Sequence, residues 1–464
     1  MKFAHQYKLK PTAQQRVTLR TWIELCRRQY NYRLGERLRW WEATRTSVNA
    51  CPLTCSIVPV KEIYKDIPEY RVQVRDGRKK DKEGNPVTKK GDKHPNIVDG
   101  YIEWQAVQLA DLKNTKKNFP EYKQLHSQVL QDIVNRVDYA FSRYTTPDKN
   151  GKRSGHPRFK GKVYYKSFTY SQLTNAHLTK DESGKDLVDL PGIGLVSLVL
   201  HRPIPTGFKV KTATVRCEAD SWFITFSLED STVPIKEDEA IQPTLANSIG
   251  IDLGLEYFLV TSEGVFVDIP QFLRKAASRL SLLQRSLEKY KKGSYPRRKL
   301  NKKIAKLHAY IARCRMQFHF EVAYKILDKT SVVFVEDLSL KNLIRRNKPK
   351  LDSDGNYVAN GQAQKSGLNK SFIDAAHGQF TSILKWVAWK LGKRVIEIDP
   401  WGTSQHCHSC LNKTPKALSD RWHDCSSCGV SMQRDHNSAI LIKKVGLGVA
   451  SLKIAPKGKK PTPS

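Results

Sequence analysis

Acidic residues are scarce relative to basic residues in this chain of 464 residues, which has 45 Asp and Glu against 80 Lys and Arg. The formal net charge at pH 7 is therefore +35. A cationic excess of this size is more than solubility requires, and it predicts a polyanionic partner, with nucleic acid the first candidate. The alternative interpretation is a basic surface that has no dedicated partner.

Long apolar segments are absent as well. No uninterrupted apolar run is long enough to cross a bilayer, and the first ten residues, MKFAHQYKLK, contain no apolar core of a signal peptide. The nine cysteines are an odd number and do not favour a disulfide framework. We therefore expect a soluble protein of a reducing, cytoplasmic compartment, with no membrane partner.

The N-terminal half changes its hydrophobic period along the chain. A strand-like stretch is followed by two helical stripes and then by clustered β-branched and aromatic residues between Gly and Pro. The ranges are 3–9 for the strand, 19–34 and 103–144 for the helices, and 152–230 for the β region. We predict that the β region forms a small barrel or sheet. Residues 71–100, rich in charge, Gly and Pro, are predicted to form a mobile basic loop.

Residues 152–162 interleave cations with a turn and an aromatic side chain. Such cations can bind a phosphate backbone, and Phe159 or Tyr164 can stack on a base. A solvated basic turn beside a core phenylalanine is an equally acceptable interpretation.

The C-terminal half alternates strands and helices after a polar linker at 230–246. One apolar strand ends at Asp252 and another at Glu336. The other predicted elements are strands at 257–261, 265–269 and 395–398, a basic helical hairpin at 271–329, a flexible insertion at 345–369 and a helix at 372–391. Three strands, helices, a strand, a helix and a strand are the order of an RNase H-like α/β fold interrupted by insertions.

Asp252, Glu336 and Asp435 are the candidate catalytic residues. The first two end buried strands, and Asp435 lies in the first turn of a predicted helix at 434–443. Buried carboxylates are costly unless a positive group pairs with them, and two Mg²⁺ ions would do so and would support phosphodiester hydrolysis. Taken singly, each acid is more readily a turn or capping residue, but the order Asp, Glu, Asp on these elements favours the catalytic interpretation.

Three further acids are near these positions in the sequence. Asp337 is the weaker candidate, because it should point to the other side of the strand from Glu336. Glu397 and Asp399 lie at the end of the last predicted strand, either as acids that support the metal ligands or as simple edge residues, and we leave them outside the predicted centre.

Two C-x-x-C pairs lie fourteen residues apart near the C-terminus, Cys407 with Cys410 and Cys425 with Cys428. Four thiolates at this spacing are typical of a structural zinc ribbon. Three histidines nearby, His406, His408 and His423, are not needed, because four thiolates complete a structural site.

The motifs Ile251-Asp-Leu-Gly254, Val335-Glu-Asp-Leu338, Thr403-Ser-Gln-His-Cys407 and Arg434-Asp-His-Asn-Ser-Ala439 are similar to the RuvC motifs and inserted zinc finger of TnpB-type proteins. These are RNA-guided nucleases of insertion sequences, related to compact type V CRISPR effectors. Further likeness is found in the N-terminal half, at Tyr7-Lys-Leu-Lys-Pro-Thr12, Pro157-Arg-Phe-Lys160 and His201-Arg-Pro-Ile-Pro205.

The resemblance implies an α+β multidomain protein that cuts DNA beside a short motif. The expected domains are a wedge-like β barrel at 1–240 with a helical insertion at about 12–150, a RuvC-like nuclease at 246–400 and 433–445, a zinc ribbon at 401–432 and a basic flexible tail at 446–464. It also implies two Mg²⁺ ions at Asp252, Glu336 and Asp435, a structural Zn²⁺ at the four cysteines, and a cytoplasmic, nucleoid-associated location in a prokaryote.

The expected partners are a transposon-derived guide RNA and target DNA, both double-stranded and single-stranded. Arg434, which precedes the last acid, either orients it, contacts phosphate or lies at the surface. The alternatives are a miniature type V CRISPR effector or a regulator that binds nucleic acid without cutting it.

Two positions depart from the family pattern. Leu411 stands where the family usually has Gly after the first C-x-x-C pair, and Gln433 stands where it usually has Asp. Neither change removes a predicted metal ligand, so we expect an active nuclease. Leu411 puts only the local turn in doubt.

Overall fold

The structure is a computed structural model that describes residues 1–45, 97–98, 101–102, 104–148, 150–219, 221–233, 241–338, 340–416 and 420–452. The chain divides into two compact units, Met1–Val233 and Pro234–Ser464. Each unit combines helices with sheets, which confirms the predicted mixture. Most of the predicted basic loop at 71–100 and of the predicted tail lies outside the described residues. Among the helices that are described, none has both the length and the apolar character needed to cross a membrane.

The helices of the first unit follow the predicted apolar stripes. They are α1 (Ala13–Arg45), α2 (Trp104–Ala110), α3 (Leu112–Asn118) and α4 (Ser127–Thr145). The apolar face of α4 is fully buried, as its spacing of three and four predicts. Two short strands, β2 (Ile97–Val98) and β3 (Tyr101–Ile102), precede α2.

A seven-stranded antiparallel sheet completes the first unit. Its strands are β1 (Lys2–Lys10), β4 (Ser167–Tyr170), β5 (Leu178–Lys180), β6 (Asp186–Leu190), β7 (Gly194–Val199), β8 (Lys209–Glu218) and β9 (Ser221–Glu229). Their order is β4-β8-β9-β1-β7-β6-β5. In β1 every second side chain is buried, because one face of the strand packs on the core and the other faces solvent.

The second unit is built around a five-stranded sheet of order β12-β11-β10-β13-β16. The strands are β10 (Ser248–Asp252), β11 (Tyr257–Thr261), β12 (Phe266–Asp268), β13 (Val332–Glu336) and β16 (Arg394–Ile398). β10, β13 and β16 run parallel, whereas β11 and β12 are antiparallel to their neighbours. The first four residues of both β10 and β13 are buried, because both faces of the sheet are covered.

The covering helices are α5 (Phe272–Glu288), α6 (Tyr295–Lys329), α8 (Gln362–Ala375), α9 (His377–Leu391) and α10 (Arg434–Gly446). α6 and α9 pack on one face, where Phe258 and Phe380 are fully buried. On the other face α10 contributes Ile442, which packs against Phe334.

Two details differ from the sequence expectations. The predicted flexible insertion at 345–369 contains the β14 (Lys350–Leu351) and β15 (Tyr357–Val358) hairpin and the start of α8, and a short helix α7 (Leu340–Leu343) precedes it. The predicted basic face of the α5–α6 hairpin is exposed except at Arg297. Arg297 donates hydrogen bonds to the carbonyls of Leu287 (2.9 Å) and Tyr290 (2.7 Å), and so closes the hairpin instead of facing solvent.

Two glycines allow α10 to approach the sheet closely. A Cβ atom at Gly250 in β10 would lie 2.2 Å from the carbonyl oxygen of Ala439 and 2.7 Å from the amide nitrogen of Lys443. A Cβ atom at Gly446 would lie 2.1 Å from the ring of Phe334. Because β10 carries Asp252 and α10 carries Asp435, this approach also fixes the relation between the two acids.

We predict that Gly250→Ala destabilises the protein by about 3 kcal/mol or more, because the atoms it meets are backbone atoms that cannot turn aside. The measurement is thermal or denaturant unfolding. Gly367→Ala is the matched control, since a Cβ there meets nothing within 4 Å. That change lies inside α8 and should stabilise by roughly 0.5–1 kcal/mol. Equal effects of the two changes would contradict the close approach.

Candidate functional site

Asp252 and Glu336 lie at the same edge of the five-stranded sheet. β10 and β13 are parallel neighbours in which Ile251 is paired with Val335, so the next residue of each strand is one of the two acids. Asp435 comes from the first turn of α10, which packs on β10, and is 5% exposed. Three segments far apart in sequence are therefore brought to one region.

Two cavities adjoin these acids. Asp252 and Asp435 line a cavity of about 220 Å³ whose other walls include Lys416, Arg421 and Arg434. Glu336 lines a second cavity of about 150 Å³. Leu253, directly after Asp252, lines both. Asp252 thus adjoins both other acids, and cationic side chains line the cavity that it shares with Asp435. We call Asp252, Glu336 and Asp435 the acidic row.

Burial raises the pKa of Asp252 well above its ordinary value. The carboxyl groups of Glu336 and Asp435 raise this pKa further, and the guanidinium of Arg434 opposes them. Burial also raises the pKa of Glu336, and a hydrogen bond from the hydroxyl of Thr403 opposes it. The site therefore disfavours two ionised carboxylates, and a cation would relieve their repulsion.

The neighbouring side chains hold the acids individually. Arg434 donates from Nε and Nη2 to Oδ1 of Asp435, each at 3.1 Å, which supports the orienting alternative for this arginine.

The acids are more widely spaced than the thiols described below. Within the described part of the chain, they do not form a group whose ligand atoms all lie within 4.8 Å of one another.

The three acids left outside the predicted centre have other contacts. The backbone N–H of Asp337 donates to the carbonyl of Ile398 at 2.9 Å, and its side chain is exposed. Glu397 pairs with Lys385 at 2.7 Å. Asp399 accepts from the backbone N–H of Trp401 at 2.9 Å. Asp337 and Glu397 nevertheless line the Glu336 cavity.

The four cysteines form a compact cluster. One ligand atom from each of Cys407, Cys410, Cys425 and Cys428 lies within 4.8 Å of the other three. The sulfurs of Cys407 and Cys428 are 3.6 Å apart, and those of Cys410 and Cys425 are 3.4 Å apart. Four sulfurs at about 2.3 Å from a tetrahedral zinc lie about 3.8 Å from one another. The thiols therefore fit a zinc ion.

The two C-x-x-C turns have the same backbone geometry. The N–H of Leu411 donates to the carbonyl of Cys407 (3.0 Å), and the N–H of Gly429 donates to that of Cys425 (2.9 Å). Both residues adopt left-handed backbone conformations, with φ of 60° at Leu411 and 73° at Gly429. The departure at Leu411 thus places a branched side chain where glycine is favoured, which costs about 1–2 kcal/mol.

The second departure has a structural role, because Gln433 is the N-cap of α10. Its side-chain oxygen accepts from the backbone N–H of His436 at 2.7 Å. The hairpin of β17 (Trp422–Asp424) and β18 (Ser431–Gln433) leads directly into this cap. The second cysteine pair is therefore joined to the helix that carries Asp435.

Several residues of the site were not assigned roles from the sequence. Asn437, fully buried two residues after Asp435, accepts from the backbone N–H of His408 (2.9 Å) and donates to the carbonyl of His406 (2.8 Å). This ties the first cysteine turn to α10. His377, 1% exposed, packs on Phe258 and lines the Glu336 cavity. Burial lowers its pKa to about 4, so it is neutral at neutral pH.

We predict that Leu411→Gly stabilises the protein by about 1 kcal/mol, because it relieves the left-handed strain. The reciprocal change, Gly429→Ala, should destabilise it by a similar amount in the equivalent turn. Thermal unfolding of the zinc-loaded protein measures both. Destabilisation by Leu411→Gly would show instead that the leucine side chain contributes more packing than its backbone costs.

The fold and site define a protein of mixed helices and sheets with an acidic cluster and a four-cysteine cluster. Three family models match the chain: the helix-turn-helix domain of OrfB_IS605 at residues 1–46, the OrfB_IS605 probable transposase at 232–347, and the Cas12f1-like TNB domain at 377–442. These matches confirm the predicted resemblance to TnpB-type proteins.

Curated relatives agree. A putative RNA-guided DNA endonuclease of Streptomyces pristinaespiralis is 27% identical over 76% of this chain and 79% of its own length. The putative RNA-guided DNA endonuclease InsQ of Escherichia coli K12 is 26% identical over 70% of this chain and 75% of its own. The solved structure of a Cas12f1-sgRNA-target DNA complex aligns with 12% identity and a TM-score of 0.46, covering 96% of this chain and 98% of that one.

Proposed function

We propose that this protein is an RNA-guided DNA endonuclease of a mobile element that cleaves target DNA beside a short motif. The observation that carries the proposal is the convergence of Asp252, Glu336 and Asp435 from two strands and a helix at one edge of a sheet. The names of the curated relatives support the guided and DNA-cutting character. The excess of cations supports nucleic-acid partners.

We infer that the five-stranded sheet with α10 is a RuvC-like nuclease of the RNase H type. Its parallel strands end in the acids, which is where sites of open α/β sheets are formed. The seven-stranded sheet and helices of the first unit would be the wedge barrel with its recognition insertion. The proposed bounds remain 1–240 for the wedge part, 246–400 and 433–445 for the nuclease, and 401–432 for the ribbon.

The acidic row fits divalent cations, because oxygen ligands converge there and burial raises the pKa of both Asp252 and Glu336, with the like charge of its neighbours raising that of Asp252 further. Mg²⁺ held by Asp252, Glu336 and Asp435 would supply charge neutralisation and an activated water for phosphodiester hydrolysis. Asp252, between the other two acids, would be the ligand common to both sides of the row. Arg434 holds the Asp435 carboxylate in position.

The cavity beside Asp252 would receive the DNA backbone. Lys416 and Arg421 line the same cavity as Asp252 and Asp435, which offers a phosphate cationic partners beside the carboxylates. Exposed cations of the α5–α6 hairpin would contact the backbone of the guided duplex more broadly. Sequence would then be read mainly by base pairing to the guide.

The cleavage test uses the full chain with the RNA that co-purifies from cells, on a plasmid library of targets. We predict that Asp252→Asn lowers the cleavage rate by about 10²-fold or more, because it removes a charged ligand from the centre of the row. Asp328→Asn, at an exposed carboxylate near the end of α6, is the matched control and should cut normally. Undiminished cutting by Asp252→Asn would exclude the acidic row as the catalytic centre. If the parent protein does not cut, a regulator that binds nucleic acid without cutting it is favoured instead.

The same variant tests the electrostatics without catalysis. A carboxyl whose folded pKa is raised adds stability below its unfolded pKa of about 3.9 and loses it as pH rises through the folded pKa. Metal-free Asp252→Asn should therefore unfold at a higher temperature than the parent protein at pH 7.5, and the difference should shrink toward pH 4. Mg²⁺ should stabilise the parent protein more than the variant. A metal-free variant that is less stable than the parent would contradict the buried repulsion.

We propose further that the four cysteines bind one structural Zn²⁺. Backbone N–H groups, first that of Ser427, lower the pKa of the Cys425 thiol to about 6, so one thiolate is available at neutral pH. Elemental analysis should give one zinc per chain in the parent protein and a clear loss in Cys410→Ser. Cys314→Ser, outside the cluster, should retain the metal. Equal zinc contents in all three proteins would exclude this site.

A further inference from the structure

Thr403 lies where the chain leaves the five-stranded sheet for the first cysteine turn. β16 ends at Ile398, which is paired with Glu336 of β13. The chain then turns at Gly402, whose φ is 78° and whose carbonyl accepts from the backbone N–H of Gln405 at 3.0 Å. This turn carries the Thr403 side chain back over the carboxyl end of β13.

The hydroxyl of Thr403 donates a hydrogen bond to Oε1 of Glu336. Thr403 is 1% exposed, so water does not compete for this bond. As a β-branched residue it also has a restricted χ1, which fixes the direction of its hydroxyl. Glu336, by contrast, has a terminal torsion that is intrinsically broad.

The Thr403 hydroxyl has a second possible acceptor besides Glu336. The carbonyl of Pro400 lies 3.0 Å from the same hydroxyl, so the turn offers an internal partner of its own. A hydroxyl has one proton and can donate fully to only one acceptor. A carboxylate oxygen is a stronger acceptor than a peptide carbonyl, so the contact with Glu336 is favoured over the contact with Pro400.

We propose that Thr403 is a positioning residue that holds one oxygen of Glu336 and thereby aims the other at the divalent cation beside Asp252. The proposal rests on the proposed function of the acidic row. Without the hydroxyl, the Glu336 carboxylate is free to rotate about its last torsion, and the oriented ligand is lost. Residues that orient a metal ligand in this way typically change metal affinity by about 10–100-fold when removed.

The experiment compares Thr403→Val, which keeps the shape and loses the hydroxyl, with Thr403→Ser, which keeps the hydroxyl. Both are made in the full chain with its co-purified RNA. Mn²⁺ binding is measured by electron paramagnetic resonance of the free ion, and the Mg²⁺ dependence of cleavage is measured in parallel. Thr403→Val should weaken Mn²⁺ binding, and raise the Mg²⁺ concentration for half-maximal cleavage, by about tenfold or more. Thr403→Ser should restore most of both.

Thr330→Val is the matched control for loss of a buried hydroxyl. Thr330 lies before the opposite end of β13, is 7% exposed, and donates to the carbonyl of Asn247 at 2.6 Å. The Thr330→Val variant should have lower thermal stability but unchanged Mn²⁺ binding and an unchanged Mg²⁺ dependence of cleavage. If Thr403→Val does not fold, Thr403→Ala carries the same expectation.

Glu336→Gln separates the inference from the proposed function. If Glu336→Gln abolishes cleavage while Thr403→Val keeps the metal affinity of the parent protein, the positioning role is overturned and the nuclease centre stands. If Glu336→Gln cleaves normally, the proposed centre itself fails. A metal-affinity loss in Thr403→Val that Thr403→Ser does not rescue also overturns the role of the hydroxyl.

Discussion

The structure depends on holding acidic groups of like charge together at the end of a buried sheet. Burial and two neighbouring carboxyl groups disfavour ionisation of Asp252, and the guanidinium of Arg434 offsets this effect only in part. Such an arrangement costs stability unless a cation is bound, so the surrounding contacts must keep the acids from moving apart. Three contacts hold the acids in place: the close packing at Gly250, the guanidinium of Arg434 on Asp435, and the hydroxyl of Thr403 on Glu336.

The cysteine cluster is connected through the backbone to the segments that contact or carry the acids. Thr403 lies four residues before Cys407, and Gln433 caps α10 directly after the second cysteine turn. Asn437 binds the first turn to α10 from within the helix. A metal at the cysteines would therefore stiffen both the segment that reaches Glu336 and the helix that carries Asp435. The metal-loaded cluster would then support the positions of Glu336 and Asp435 as well as its own local fold.

Much of this organisation can be predicted from the sequence. The strands that end in Asp252 and Glu336 can be predicted from their hydrophobic pattern and length. The spacing of the paired C-x-x-C turns is typical of a zinc site. The contacts of Thr403, Asn437 and His377 could not be predicted in this way, because they depend on which strand ends meet and on how a helix rotates against the sheet. Arg297 is similar: it belongs to the predicted basic hairpin, whereas tertiary packing directs its guanidinium to the carbonyls of Leu287 and Tyr290.

Metal binding at the acidic row can be tested by anomalous diffraction from crystals of the full chain, with its RNA, grown with Mn²⁺. We predict manganese bound by Asp252 together with Glu336 and Asp435, with the metal signal absent from crystals of the Asp252→Asn variant. Manganese found only at exposed acids, with none on Asp252 in the parent protein, would contradict it.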